Sequence, residues 1–193
     1  DLQCAFAALK GFLAGEKSSH LAVCCVLDNE EVGSSTKQGA ASTFLYDTLT
    51  RMHDSLGHTR EDYLIHLADS FMLSADNAHA VHPNHPDKSD PSNRPYLNGG
   101  IVLKFNANQK YCTDGVSAAM FRDICNEAGV PVQTFSNRSD MAGGSTLGNI
   151  SNTQVALNTA DIGLPQLAMH SPYETAGVED TEYLIRAAEK FYC

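Results

Sequence analysis

The sequence predicts an α/β protein, a three-layer αβα sandwich built on a mainly parallel, mixed sheet. Two observations predict it. Short apolar runs that read as buried strands alternate, along all 193 residues, with longer stretches whose apolar residues recur at helical spacing. Several of these runs also end in clusters of carboxylates, imidazoles or glycine, and open α/β sheets bind ligands at the carboxyl ends of their strands.

The first helix is expected over residues 2–13, with Leu2, Phe6, Leu9 and Leu13 on one apolar side. After a break at 15–19, the apolar run 20–27 reads as a buried strand. A second helix is expected over about 39–53, with Ala41, Phe44, Leu45, Leu49 and Met52 near one face and Ser35 or Thr36 as its cap. Thr59-Arg60-Glu61-Asp62 has the pattern of a capping box and opens a third helix that ends near Asp69, and the short strand 71–75 follows. Between 76 and 98, Pro83, Pro86, Pro91 and Pro95 exclude regular structure from most of the segment. Long loops of this kind inside compact domains are usually functional.

Residues 101–105 restore a strand, 114–128 form an amphipathic helix stopped by Gly129 and Pro131, and 132–135 form a further strand. A glycine-bearing loop at 137–146 leads into a helix start, a strand at 159–163, the element carrying His170, and a terminal helix over about 178–192. Nothing suggests internal repeats or low-complexity sequence.

Three clusters carry the chemistry. Asp28-Asn29-Glu30-Glu31-Val32-Gly33-Ser34 follows the apolar run 20–27. Read alone it is a solvated acidic turn; read at a strand end it is a ligand site. Adjacent residues of an extended segment point to opposite sides, so Glu30 and Glu31 cannot easily serve the same atom. One can bind a metal while its neighbour handles a proton.

The second cluster, Ser74-Ala75-Asp76-Asn77-Ala78-His79-Ala80-Val81-His82-Pro83-Asn84-His85, spaces its histidines by three, but Pro83 and Pro86 forbid the helix that would stack them. Asp76, at the strand's end, is the better ligand; His79 and His82 fit a supporting or solvent-facing role as well as direct coordination. In the third, Leu167-Ala168-Met169-His170-Ser171, His170 is either a hydrogen-bonded core residue or a ligand. Carboxylates with imidazole suit zinc, cobalt or manganese. Lys104 alternates within Ile101-Val102-Leu103-Lys104-Phe105, a position that normally faces solvent, with a substrate-side role as the alternative.

Composition narrows the class. With 42% hydrophobic residues and no long apolar run, the chain reads as one soluble domain with a single core and no membrane span. A formal charge of -10 argues against nucleic acid, which needs a basic face. The cysteines at 4, 24, 25, 112, 125 and 193 form no Cys-x-x-Cys pair and read as free thiols of a reducing, cytoplasmic setting.

These three blocks, the last extended to Pro165-Gln166-Leu167-Ala168-Met169-His170-Ser171, closely resemble in order the signatures of the aspartyl aminopeptidase family of dinuclear zinc metallopeptidases. Leu103-Lys104-Phe105-Asn106 and Gly143-Gly144-Ser145-Thr146 extend the resemblance over the whole chain. It implies a zinc-peptidase-like αβα fold, Glu30 as catalytic base, Glu31 and its partner His170 as ligands of one zinc, and Asp76 as a ligand of the other; in two-metal hydrolysis His79 or His82 is then a candidate donor to the developing oxyanion, and Lys104 keeps its alternative substrate-side role. It also implies peptide substrates with acidic N-terminal residues, two zinc ions per complete site with cobalt or manganese as alternatives, and assembly into homo-oligomers, dodecamers in the family.

The family's bridging aspartate and a further histidine lie N-terminal to the shared part, and Asp1 aligns with the residue after the bridge. The expectation is therefore that residues 1–193 are the C-terminal part of the catalytic domain, without the N-terminal segment and the inserted dimerisation domain. A non-catalytic remnant of that fold, or a related two-metal deacylase, are the rival readings.

Overall fold

The computed structural model describes residues 1–16 and 19–193. The first strand of the main sheet, β1 (Phe71–Ala75), pairs in parallel with β5 (Asn158–Gly163), in register from Phe71 opposite Asn158 to Ala75 opposite Ile162. β3 (Ile101–Phe105) pairs in parallel with β4 (Val132–Ser136), and β3 meets β5 antiparallel at Val102–Gly163 and Leu103–Ile162. The sheet order is therefore β1-β5-β3-β4, two parallel pairs joined at one antiparallel seam. Past the carboxyl ends of β1 and β5 their pairing continues into a second small sheet, β2 (Ala78–His79), β6 (Pro165–Leu167) and β7 (Thr175–Ala176), in which β6 is the middle strand.

Period-two alternation gives the main sheet two chemically different faces. Ile101, Leu103, Ala160 and Ile162, all fully buried, point to one side. They meet Cys4 and Ala7 of α1 (Leu2–Ala14), Ala118, Phe121 and Cys125 of α4 (Gly115–Ala128), and Leu184 and Ala187 of α6 (Val178–Phe191). The alternate residues, Ser74, Lys104, Thr159 and Asp161, are equally buried on the other side, under Tyr111 and the short α5 (Leu147–Ser151). Burying a charge is costly unless it is paired, and Asp161 accepts bonds from Thr146 Oγ1 at 2.7 Å and from the Cys112 N–H at 2.5 Å, whereas the Ser74 hydroxyl has no partner.

Capping chemistry sets the helix boundaries that the sequence made legible. Thr59 and Asp62 close a reciprocal capping box on α3 (Arg60–Ala68), and Asp114 and Ser117 close one on α4, which Gly129 ends at φ 63°.

Three expectations need correction. The apolar side of α1 does not face the core: Leu2 is 87% exposed and Leu13 70%. The small side, Cys4, Ala7 and Gly11, is buried instead, because α6 approaches so closely that a β-carbon at Gly11 would meet the Ala188 side chain. Residues 21–27 are not a strand; they run without a ladder partner, with Leu21 and Val26 more than half exposed, although Tyr192 Oη donates to the Val23 carbonyl at 3.1 Å. The second helix, α2 (Phe44–Ser55), starts five residues later than its apolar pattern suggested, behind Thr43, because 39–43 is taken up by turns on Ser34.

Candidate metal centre

Residues 28–34 form a tight loop in which Asn29, Gly33 and Ser34 all adopt positive φ, and Glu30-Glu31-Val32 is a single 3-10 turn rather than an extended segment. Ser34 N–H donates to the Asn29 carbonyl at 2.8 Å and Asn29 Nδ2 donates to Thr36 at 2.8 Å, which fixes the loop from within. Successive side chains in such a turn diverge by a third of a revolution, so the separation expected of Glu30 and Glu31 survives the change of backbone.

Glu31 Oε2 lies 2.7 Å from His170 Nε2. His170 reaches it from a strained turn just after β6, where both Ala168 (φ 56°) and His170 (φ 68°) take the left-handed conformation. Non-glycine residues seldom hold this conformation without surrounding constraint. Here the constraint includes Glu174, which accepts the His170 N–H at 2.6 Å and whose carboxyl is held below its ordinary range by that bond.

Glu30 turns the other way. It, Asp76 and Asp1 each offer a carboxylate oxygen within 4.8 Å of the other two. Asp76 stands at the end of β1, where its N–H donates to the Ile162 carbonyl at 3.1 Å. Burial pushes the Glu30 carboxyl upward, as do the charges of Asp76 and Glu31, while Lys104 acts in the opposite sense. Asp76 and His170, 94 positions apart in sequence, thus flank the same 30–31 turn. They leave different sheets, though: His170 follows the small sheet, which continues β5 through Leu164.

Lys104 does not face solvent. It is 2% exposed, because the sheet face it points from is covered rather than open. Its ammonium donates to the Asn77 carbonyl at 2.9 Å, lies 3.7 Å from Asp76 Oδ2 and sits 5.6 Å from the Tyr111 ring. Burial raises the Tyr111 phenol to about 12, with Asp76 and Asp161 adding to the effect.

His79 is close enough to this group for Lys104 and His170 to disfavour its charged form, after the desolvation that comes first. His82 makes its contacts within its own loop: Nδ1 accepts the Asn84 N–H at 3.2 Å and the ring stands 5.3 Å from that of His85. Two buried participants went unforeseen, Tyr111 and Asp161. A carboxylate inside the apolar run Thr159-Ala160-Asp161-Ile162 was the available signal for the latter.

The sequence profile of the family described as "Aminopeptidase I zinc metalloprotease (M18)" matches residues 1–192. The chain belongs to this family. It is similar to a "Probable M18 family aminopeptidase 2" of Clostridium novyi, with 48% identity over 192 residues, 100% of this chain and 44% of the relative. Among solved structures it is similar to one described as "Cryo-EM structure of the Ape4 and Nbr1 complex", with TM-score 0.92, 37% identity, and coverage of 100% of this chain and 38% of that one. It is also similar to a "Structure of S. cerevesiae mApe1 dodecamer", with TM-score 0.85 and 29% identity, covering 100% and 44% of the two chains. The chain thus spans less than half the length of these relatives. The α/β fold with its mixed sheet is that of M18 aminopeptidases, and among the described residues no helix is long and apolar enough to cross a membrane.

The donors fit the family's metal. Glu31 with His170, and the carboxylates around Asp76, are oxygen and nitrogen ligands of the kind zinc takes.

Proposed function

We propose that this M18 chain carries most of a two-zinc aminopeptidase site that removes N-terminal, preferably acidic, residues from peptides. The observation that carries the reading is the divergence of the 30–31 turn: Glu31 pairs with His170 at 2.7 Å, while Glu30 enters the carboxylate group with Asp76. In this reading Glu31 and His170 hold one zinc ion and Asp76 helps to hold the other, with Asp1 as the further carboxylate the geometry offers. Cobalt or manganese would satisfy the same donors. When bound, the ions supply Lewis acidity, polarising the scissile carbonyl and lowering the pKa of water.

The protein's own residues do the rest. A carboxylate oxygen of Glu30 takes the proton from the attacking water and delivers it to the departing nitrogen, so one group acts first as base and then as acid. His79 and His82 stand on the substrate side as hydrogen-bond donors to the developing oxyanion. Lys104 acts from behind, as the counter-charge of Asp76. The likeness to a dodecameric relative supports a homo-oligomer as the working state.

The test uses a protein that contains this chain together with the rest of the length its relatives have. Glu30→Gln is expected to abolish hydrolysis of an N-terminal aspartyl or glutamyl peptide while both zinc ions remain, whereas Glu31→Gln loses zinc as well. Equal zinc loss in both variants refutes the division of roles. Full binding of zinc without turnover of aminoacyl or acylated amino-acid substrates would favour a non-catalytic member of the fold.

A further inference from the structure

Away from these residues, three of the chain's eight histidines meet on one helical hairpin. His53 lies in the last turn of α2, His58 in the connection after Gly57, and His66 in the last turn of α3. Their ring centres are 4.7 Å (His53–His58), 5.2 Å (His53–His66) and 5.3 Å (His58–His66) apart, and His53 Nε2 is 3.1 Å from His66 Nδ1. We infer that His53, His58 and His66 form a second site, for a borderline divalent metal ion of the zinc type, that shares no residue with the centre described above.

The dimensions suit such an ion. With zinc–nitrogen bonds of about 2.0–2.1 Å at tetrahedral angles, neighbouring donor atoms are roughly 3.3 Å apart and the centres of their rings roughly 5 Å apart. Three imidazoles leave one position of the tetrahedron for water. As they stand, the three rings do not yet offer one nitrogen each to a common point, since among the described residues only Asp1, Glu30 and Asp76 do so. His58 and His66 are exposed, so rotation of their side chains closes that difference without moving the backbone.

His53 is the anchor. It is only 9% exposed, its Nδ1 has no hydrogen-bond partner, and its ring packs edge-on against the buried Tyr63 at 5.3 Å. Thr50, one turn earlier on α2, and Tyr63 each keep a buried hydroxyl without a partner. Ligating histidines are normally oriented through the ring nitrogen that does not bind the metal, the role left to Nδ1 once Nε2 is committed. A buried ring nitrogen left unpaired is otherwise a cost with no return.

Burial, then the neighbouring His58 and His66, disfavour the protonated form of His53. The group also sits at the carboxyl end of α2, where backbone carbonyls favour a cation, with Asp54 and Asp62 adding negative charge nearby.

The test is calorimetric titration of the 193-residue chain with Zn2+ at neutral pH, in a Glu31→Gln/Asp76→Asn/His170→Gln background that disables both metal positions of the first centre. One zinc ion bound in the micromolar range is expected, weakened about 100-fold or more when His58→Gln and His66→Gln are added, since a single imidazole cannot hold the ion. Both positions are exposed, and a circular-dichroism melt verifies that the fold is kept. In the unsubstituted chain, the imidazole 15N resonances of His53, His58 and His66 should shift together on addition of zinc. No micromolar zinc in the background variant, or affinity unchanged by the His58/His66 substitutions, overturns the assignment while leaving the Glu31–His170 reading untouched.

Discussion

The ammonium of Lys104 lies 3.7 Å from Asp76 Oδ2 and bonds to the Asn77 carbonyl on the polar face of the sheet, with only 2% of the lysine exposed. It supplies a fixed positive charge to a region otherwise rich in carboxylates. Lys104→Met keeps the stem and removes the charge. That leaves the Asn77 carbonyl without its donor, at a cost of about 1–3 kcal/mol. Urea denaturation should register the loss as a lower midpoint; an unchanged midpoint would show that the ammonium's bond does not contribute.

Gly163 is where β5 passes closest to the same pair. A β-carbon there would run into the Asp76 carbonyl oxygen and stand 2.8 Å from Lys104 Cε. Gly163→Ala therefore forces β1 and β5 apart at their carboxyl ends, and overpacking of this kind costs roughly 1–3 kcal/mol. The expected outcome is a lower melting temperature combined with weaker zinc binding, because the displaced backbone is that of Asp76. Weaker stability with unaltered zinc binding would separate the strand contact from the site.

Asp114, the cap of α4, offers a pH-dependent test at a residue that is not among the proposed metal ligands. Its carboxylate accepts the N–H groups of Ser117 at 2.8 Å and Val116 at 2.9 Å, and the Ser117 bond is the main reason that its pKa lies below the ordinary 3.8. As pH falls, the unfolded chain takes up this proton before the folded one does. The contribution is thus whole above about pH 3.8 and is lost as pH drops through the folded-state value. Asp114→Ala should cost about 0.5–2 kcal/mol at pH 7, and the gap between variant and parent should narrow in acid. A gap that stays constant down to pH 2 would mean that packing, not the cap, had been lost.

The thiols should react in an order set by burial. Cys4 is raised to about 11 and Cys125 to about 12, chiefly by burial, and Cys112 is raised by burial and by the neighbouring Asp161. At pH 8 these remain almost wholly protonated and shielded, whereas Cys193 is exposed. Mass spectrometry of the iodoacetamide-treated native chain should find Cys193 labelled first, and Cys4 and Cys125 labelled only after unfolding. Early labelling of Cys4 would indicate that α1 detaches readily from α6.

How much was legible in the sequence follows from where each signal lives. The strands β1 and β3, and the helices α3 and α4, were readable to within about two residues, because their apolar runs, capping boxes and the stop at Gly129 are local. The reading of 20–27 as a strand failed because a strand exists only with a neighbour to bond, and apolar content says nothing about that neighbour. The face of α1 was misread for a related reason. Leu2, Phe6, Leu9 and Leu13 have the stronger hydrophobic signal, but close helix contact selects small residues. At the centre, Glu30, Glu31, Asp76 and His170 were readable as clusters, whereas the burial of Lys104 depended on Tyr111 and Asn77 covering it from distant segments.

The seam between α1 and α6 also bears on how the chain reaches its fold. Gln3 and Thr181, 178 positions apart, are joined by a hydrogen bond of 2.9 Å one helical turn from the start of α6. Closing a loop of that length costs roughly 4–5 kcal/mol of chain entropy before any contact is made. The two helices therefore dock late, after the strands between them have brought their ends together, and the domain should fold slowly for its size. On the ribosome, α6 is the last of these elements to emerge, so Cys4, Ala7 and Gly11 wait through the synthesis of everything between for the surface that covers them.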